Sequence, residues 1–201
     1  MTAAKAAETR MSGGQYLLFI VLRWLTVIAL ALWLGGLIAI GAFTAPTTFS
    51  VIRETATTAS LDPAEQSKLA GLIVGNTLRL FNSVCAGLSV ILLFSQILTI
   101  VLWPEQAQTK KRPSPAPAKP VRDHSRTTLI VEFVLGLFLI GSLAYLALDL
   151  FPAMDAAQAR GAMSQFDSLH HLYERVSVGQ SPLLFALLLL FIHNTANLGR
   201  R

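Results

Sequence analysis

The chain has 201 residues, of which 53% are hydrophobic and only 13% charged, with a mean hydropathy of +0.57 and a formal net charge of +5. Soluble domains carry about a quarter charged residues, so this is the composition of a membrane protein. The basic residues sit mostly between apolar runs, where they set topology, which argues against a nucleic-acid surface. A single cysteine, Cys85, lies inside an apolar run, so the chain offers no internal disulfide and no redox motif.

Residues 1–15 are small, polar and mildly basic, and read as a short cytoplasmic tail without periodicity. The run Tyr16 to Phe43 has Arg23 as its one charge. Crossing hydrocarbon takes about 20 apolar residues, so this run is the first span. It is too long for the apolar core of a signal peptide. Proline cannot continue a helix, so Pro46 is expected to end it and residues 44–62 to form an external loop. Ala31, Gly35 and Ala39 recur every four residues with Gly36 beside them, a face suited to close helix approach.

Asp62-Pro63-Ala64-Glu65 is a helix start, with an N-cap, proline at the first position and an acid at the third. The second span runs from there to Trp103, roughly 60 Å at 1.5 Å per residue, twice the hydrocarbon thickness. Either its first turns stand clear of the membrane or it bends, at Gly71, Gly75 or Asn82-Ser83. Gly71 and Gly75 also offer a close-packing face. Residues 104–126 alternate prolines with six bases, from Lys110 to Arg126, and read as a solvated cytoplasmic linker.

The third span covers about 127–150, closed by Pro152, with an external connection over 151–168 whose alanine-rich, polar residues suit a surface helix carrying Met154, Met163 and Phe166. The fourth begins near Ser168, has its apolar centre at Leu183 to Ile192, and contains Pro182 as a candidate kink. Bases concentrate in the tails and the proline linker, so the positive-inside rule puts both termini in the cytoplasm, in a cell (inner) membrane protein. The patterns Gly36-Leu37-x-x-Ile40-Gly41 and Gly136-Leu137-x-x-Ile140-Gly141 suggest two parallel helical-hairpin repeats.

Ionisable groups within apolar helices are default site hypotheses. Toward the cytoplasmic side lie Arg23, Glu132 and His193, and Arg23 with Glu132 makes a candidate intramembrane ion pair. Toward the outer face lie Asn76, Arg79, Asn82, Asp149, Asp167, His170, His171, Tyr173, Glu174 and Arg175. On a helix His170 and Glu174 share one face. A polar cluster of Asn76, Arg79, Asp149, His170 and Glu174 is expected there, with Pro46 shaping its rim. Histidine and carboxylate at a helix end suit a divalent metal or a proton relay, with His170, His171 and Glu174 as candidate ligands. The chain has no Cys-x-x-Cys or HExxH motif, and a haem held by His193 has no evident second axial ligand. No nucleophile and base stand at catalytic spacing, so no enzyme and no cofactor is expected.

Trp33-Leu34-Gly35-Gly36, Ala45-Pro46 with Phe49, Ala70-Gly71-Leu72-Ile73-Val74-Gly75 and Phe166-Asp167-Ser168-Leu169-His170 occur in that order. Together they resemble the bacterial domain-of-unknown-function family 4149, which is similar to transmembrane protein 205 of eukaryotes. The resemblance covers all four spans and implies a four-helix integral membrane protein. The Trp-Leu-Gly-Gly portion is also similar to the copper resistance D membrane family. There a histidine commonly precedes the tryptophan, whereas this chain has Arg23 and no histidine in its first span.

The expectation is an all-α, four-helix integral membrane bundle in the lipid bilayer. A homo-oligomer or a membrane-protein partner is its corollary. The leading function is non-enzymatic small-ion handling or support of a membrane complex, and the alternative is a metal- or haem-binding membrane component.

Overall fold

The structure, a computed structural model, describes residues 13–59, 62–102 and 124–198. Every element among them is helical: α1 (Gly13–Ile38), a π-helical turn π1 (Ala39–Thr44), α2 (Ala45–Ala59), α3 (Pro63–Leu102), α4 (His124–Tyr145), a second π-turn π2 (Leu146–Leu150), α5 (Phe151–Ala159) and α6 (Met163–Leu198). Four stretches are long and apolar enough to cross a membrane: Leu17–Thr55, Lys68–Val101, Thr127–Ala159 and Met163–Thr195. The all-α four-helix expectation is met. Most of the expected tail, and the linker up to residue 123, lie outside the described residues.

The expected loop at 44–62 is largely helical instead, and the helix expected within 151–168 is continuous with the third span. α1 continues through π1 into α2, and α4 through π2 into α5, so the chain does not break at Pro46 or Pro152. A proline inside an α-helix lacks its N–H and clashes with the carbonyl four residues back. Each proline here is the second residue after a π-turn. The residue before it bonds five residues back, Ala45 N–H to the Ile40 carbonyl and Phe151 N–H to that of Leu146. The wider turn gives the ring room. Thr44 Oγ1 also donates to the Ala39 carbonyl, at 3.2 Å.

α3 begins where its capping sequence predicts, with the Gln66 N–H on the Asp62 carbonyl at 3.0 Å. It then runs as one uninterrupted α-helix of 40 residues, about 60 Å. The true chain reversal in the second hairpin is short. Ala162 N–H reaches the Ala157 carbonyl and Gly161 N–H that of Gln158, both at 3.0 Å, with Gly161 at φ 69°. This is a Schellman stop, which needs a left-handed residue. Helix α6 therefore starts at Met163, five residues before the expected Ser168.

The four long helices pack in a ring, α1 against α3 and α6, and α4 against α3 and α6. α1 lies diagonally opposite α4, and α3 opposite α6. We call the end where α1 begins and α6 finishes the terminal end, and the other the hairpin end. Buried positions on α3 alternate by three and four residues: Asn82, Cys85, Ser89, Leu92, Gln96, Thr99. On α6 they are Tyr173, Gln180, Leu184, Leu187 and Phe191. That seven-residue period is coiled-coil packing. The outward faces are apolar, with Leu17, Val21, Trp24, Ile28 and Leu32 of α1 all exposed, as lipid contact requires.

Small-residue packing is narrower than the sequence suggests. A Cβ on Gly36 would overlap the Phe81 ring, and one on Gly136 would meet the Gln96 amide at 2.7 Å. Gly35, Gly71 and Gly75 have nothing within 4 Å, so they make no close helix contact within the chain. The first glycine of each G-L-x-x-I-G pattern thus admits a side chain of α3. Both hairpins also share the helix, π-turn, proline plan. The phase differs, since Pro46 follows Gly36 by ten residues and Pro152 follows Gly136 by sixteen.

Candidate functional site

The bundle is oily outside and carries its polar groups inside. Near the terminal end, Arg23 of α1 reaches across the diagonal to Glu132 of α4. Nη1 lies 2.6 Å from Oε2 and Nη2 3.2 Å from Oε1, and both side chains are 2% exposed. Such a bidentate fork satisfies charge and direction together. Asn194 Nδ2 of α6 donates to the same Oε1, and Gln96 Nε2 of α3 donates to the Glu132 backbone carbonyl at 3.1 Å. One carboxylate residue therefore ties all four helices together.

The surroundings are polar on one side and apolar on the other. Thr26 Oγ1 donates to Ser95 Oγ at 2.6 Å, and both hydroxyls lie on the Leu22 carbonyl. The Arg23 guanidinium sits 4.5 Å above the centre of the Phe191 ring, a cation–π contact. Toward the hairpin end, Leu30, Trp33, Leu92, Leu139 and Leu187 fill the bundle as one buried cluster. Arg23 lies about 9 Å and Glu132 about 8 Å inside their spans, and Thr99 and Asn194 within about 3 Å of theirs. The arrangement places a carboxylate and a guanidinium in one buried layer, with Thr99 and Asn194 between it and the terminal end of the described spans.

The expected outer cluster does not assemble. Arg79 pairs with Asp155 at 2.5 Å and lies over the Phe151 ring, 5.4 Å from its centre. Asp149 and Asn76 are exposed and join neither group. His170 and Glu174 do share a face, with Nε2 to Oε1 at 3.4 Å, but their contacts are with their own helix: His171 Nδ1 to Glu174 Oε2 at 3.1 Å, His171 to Asp167 at 3.8 Å, and Phe166 stacked on His170. All these polar side chains are at least 40% exposed. The reason is geometric. Continuation of the third span through π2 into α5 brings Asp155 to Arg79 in place of Asp149. Pro46 lies within a helix, exposed, and shapes no rim.

The candidate ligands His170, His171 and Glu174 are close together, yet no group of three or more His, Cys, Asp or Glu among the described residues is arranged for a metal ion. His193 lies about 34 Å along α6 from His170, so those histidines cannot share one centre.

Sequence reasoning missed Asp155, Asn194, Gln96, Thr26, Ser95 and Thr99. A signal existed for α3, because Asn82, Ser89, Gln96 and Thr99 fall on the seven-residue buried period. A second polar contact crosses the other diagonal at the hairpin end, Asn82 Nδ2 to the Tyr173 hydroxyl at 3.3 Å. About two turns further along α6, Gln180 Nε2 donates to Ser142 Oγ at 2.9 Å. Comparison with models of known families, with curated proteins and with solved structures finds no match to this chain.

Proposed function

We propose that this is a non-enzymatic, multi-pass protein of the cell membrane that handles a small ion, the proton, at Glu132. The observation that carries the reading is a carboxylate 2% exposed within a membrane-spanning helix, shared between Arg23 and Asn194. A buried ion pair contributes little net stability compared with apolar side chains of similar volume, which argues that such a pair serves more than packing. Both termini and the basic 104–126 segment face the cytoplasm, by the distribution of Lys and Arg. The polar side of the network then opens inward. The apolar cluster, carried by α1 and α4 ahead of π1 and π2, closes the other side, so passage across the membrane requires those packed helices to part. Those turns lie on the two helices that carry the pair, and π-turns concentrate at functional sites. The resemblance to family 4149 and transmembrane protein 205 supports the four-span reading and adds no activity. Four helices are few for a pathway, so the working unit is a homo-oligomer or a complex with another membrane protein.

The test is proton flux into proteoliposomes, read by an enclosed pH dye under an imposed potential. Wild type should exceed empty liposomes, and Glu132→Gln, which keeps the shape and removes the proton site, should abolish the difference. Asn194→Leu, which leaves the ion pair in place, should shift the rate in a folded protein. Wild-type flux equal to that of empty liposomes would reject proton handling and favour support of a membrane complex, to be sought by pull-down.

A further inference from the structure

The polar layer at the terminal end holds more hydrogen-bonding capacity than its protein neighbours use. Arg23 Nε, Gln96 Oε1 and Thr99 Oγ1 are buried without a hydrogen-bond partner among the described residues. Their residues are 2%, 4% and 2% exposed. Native proteins satisfy nearly all such groups, and the usual partner for one left by protein atoms is internal water.

Two of the three groups belong to residues bonded to Glu132, and the third lies one turn away along α3. Arg23 is held by its Nη atoms on the Glu132 carboxylate, and Gln96 by its Nε2 on the Glu132 carbonyl. Thr99 stands one turn beyond Gln96 on the same buried face of α3, toward the terminal end. Bare Gly136, one turn from Glu132, leaves room for the Gln96 amide.

The chemistry of the set selects the ligand. Arg23 Nε offers a donor, Gln96 Oε1 an acceptor, and Thr99 Oγ1 either. A cation is repelled by the guanidinium, and an anion by the Glu132 carboxylate and the Gln96 oxygen. A small neutral molecule that both donates and accepts fits all three. We infer that Arg23, Gln96 and Thr99 bind internal water beside Glu132, and that this water is the proton route between Glu132 and the terminal end.

The water site stands on the geometry alone, whereas its use as a route rests on the proton-handling reading above. In that step the bound water gives one of its protons to a Glu132 carboxylate oxygen as it takes one from water at the terminal end, so the site stays neutral water and Glu132 becomes a neutral acid. Arg23 keeps its charge throughout, and release reverses the step. Trp33 supplies an internal control. Its Nε1 is also buried without a partner among the described residues, but it lies within the apolar cluster and should be dry.

The experiment is water-to-protein polarisation transfer by solid-state NMR on the nitrogen-labelled full chain in bilayers, beside proteoliposome flux. Transfer is expected at Arg23 Nε and the Gln96 amide, and not at Trp33 Nε1. Thr99→Val, close to isosteric, should remove the transfer at Arg23 and slow flux by about tenfold, the scale of one lost hydrogen bond in a transition state. Absence of transfer at Arg23 and Gln96 in wild type, or equal transfer at Trp33, overturns the water site. A Thr99→Val protein unchanged in both readouts overturns the route. Transfer without wild-type flux keeps the water and rejects proton handling, and flux without transfer does the reverse.

Discussion

Arg23 and Glu132 meet across the diagonal of the helix ring, 2.6 Å apart, and not between neighbouring helices. Each must therefore extend through the bundle axis, where the guanidinium also covers Phe191. Removing one partner leaves the other charged in a buried layer, which costs about 3–5 kcal/mol. Arg23→Ala and Glu132→Ala should each lower unfolding stability in detergent on that scale. Replacing both, as Arg23→Met with Glu132→Met, should recover most of the loss. A double variant less stable than either single one would contradict this account of the pair.

The second ion pair makes the opposite forecast. Arg79 and Asp155 are 53% and 48% exposed, so solvent screens them and the side chains lose entropy on pairing. A double-mutant cycle with Arg79→Ala and Asp155→Ala should give a coupling of about 0.2–1 kcal/mol, falling with added salt. Coupling comparable to that of Arg23 and Glu132 would mean that the hairpin end is held by this contact.

Gly36 and Gly35 are adjacent, yet they should respond differently to the same change. A Cβ on Gly36 overlaps the Phe81 ring, whereas one on Gly35 meets nothing within 4 Å. Gly36→Ala should lower stability by about 1–3 kcal/mol, and Phe81→Leu in the same chain should relieve part of that. Gly35→Ala should be neutral or stabilise by up to ~1 kcal/mol through helix propensity. Thermal unfolding of the two variants side by side decides it.

These residues also show what could be read before the fold was seen. The spans, the Asp62-Pro63 start and the juxtaposition of Arg23 with Glu132 follow from apolar length, capping chemistry and the scarcity of charge in lipid. The continuation through Pro46 and Pro152 was hidden. It depends on π-turns, which relieve the proline through backbone geometry that local propensity does not encode. A third span that ends at Pro152 puts Asp149 in the outer cluster with Arg79 and leaves Asp155 out, whereas the continuous helix brings Asp155 to Arg79. Asn194 was hidden for another reason. Only the ring order of the helices shows that the end of α6 lies beside Glu132.

The exposed histidines allow a direct check of the metal reading. His170 and His171 share Glu174 at 3.4 and 3.1 Å, and all three are open to solvent at the end of one helix. Two or three ligands on one exposed helical face, without a converging partner from another element, make a weak site. Metal analysis and an absorbance spectrum of detergent-purified protein should show no stoichiometric metal and no Soret band, unchanged in His170→Ala. Stoichiometric metal lost in that variant would make the hairpin end a cofactor site.

Cys85 provides a built-in reporter of bundle opening. It is the one cysteine of the chain and is 0% exposed, packed in the same cluster as Trp33, Leu92 and Leu184. A thiol reagent must wait for the helices to separate, so labelling should track opening, not intrinsic reactivity. In the native bundle, maleimide modification should be slowed by orders of magnitude relative to the denatured chain. Gly36→Ala, which forces Phe81 away four residues from Cys85, should accelerate it, whereas Gly35→Ala should not. Rapid labelling of the wild-type protein in bilayers would mean that the apolar cluster between Glu132 and the hairpin end opens spontaneously, and the one-sided access of the ion pair would no longer hold.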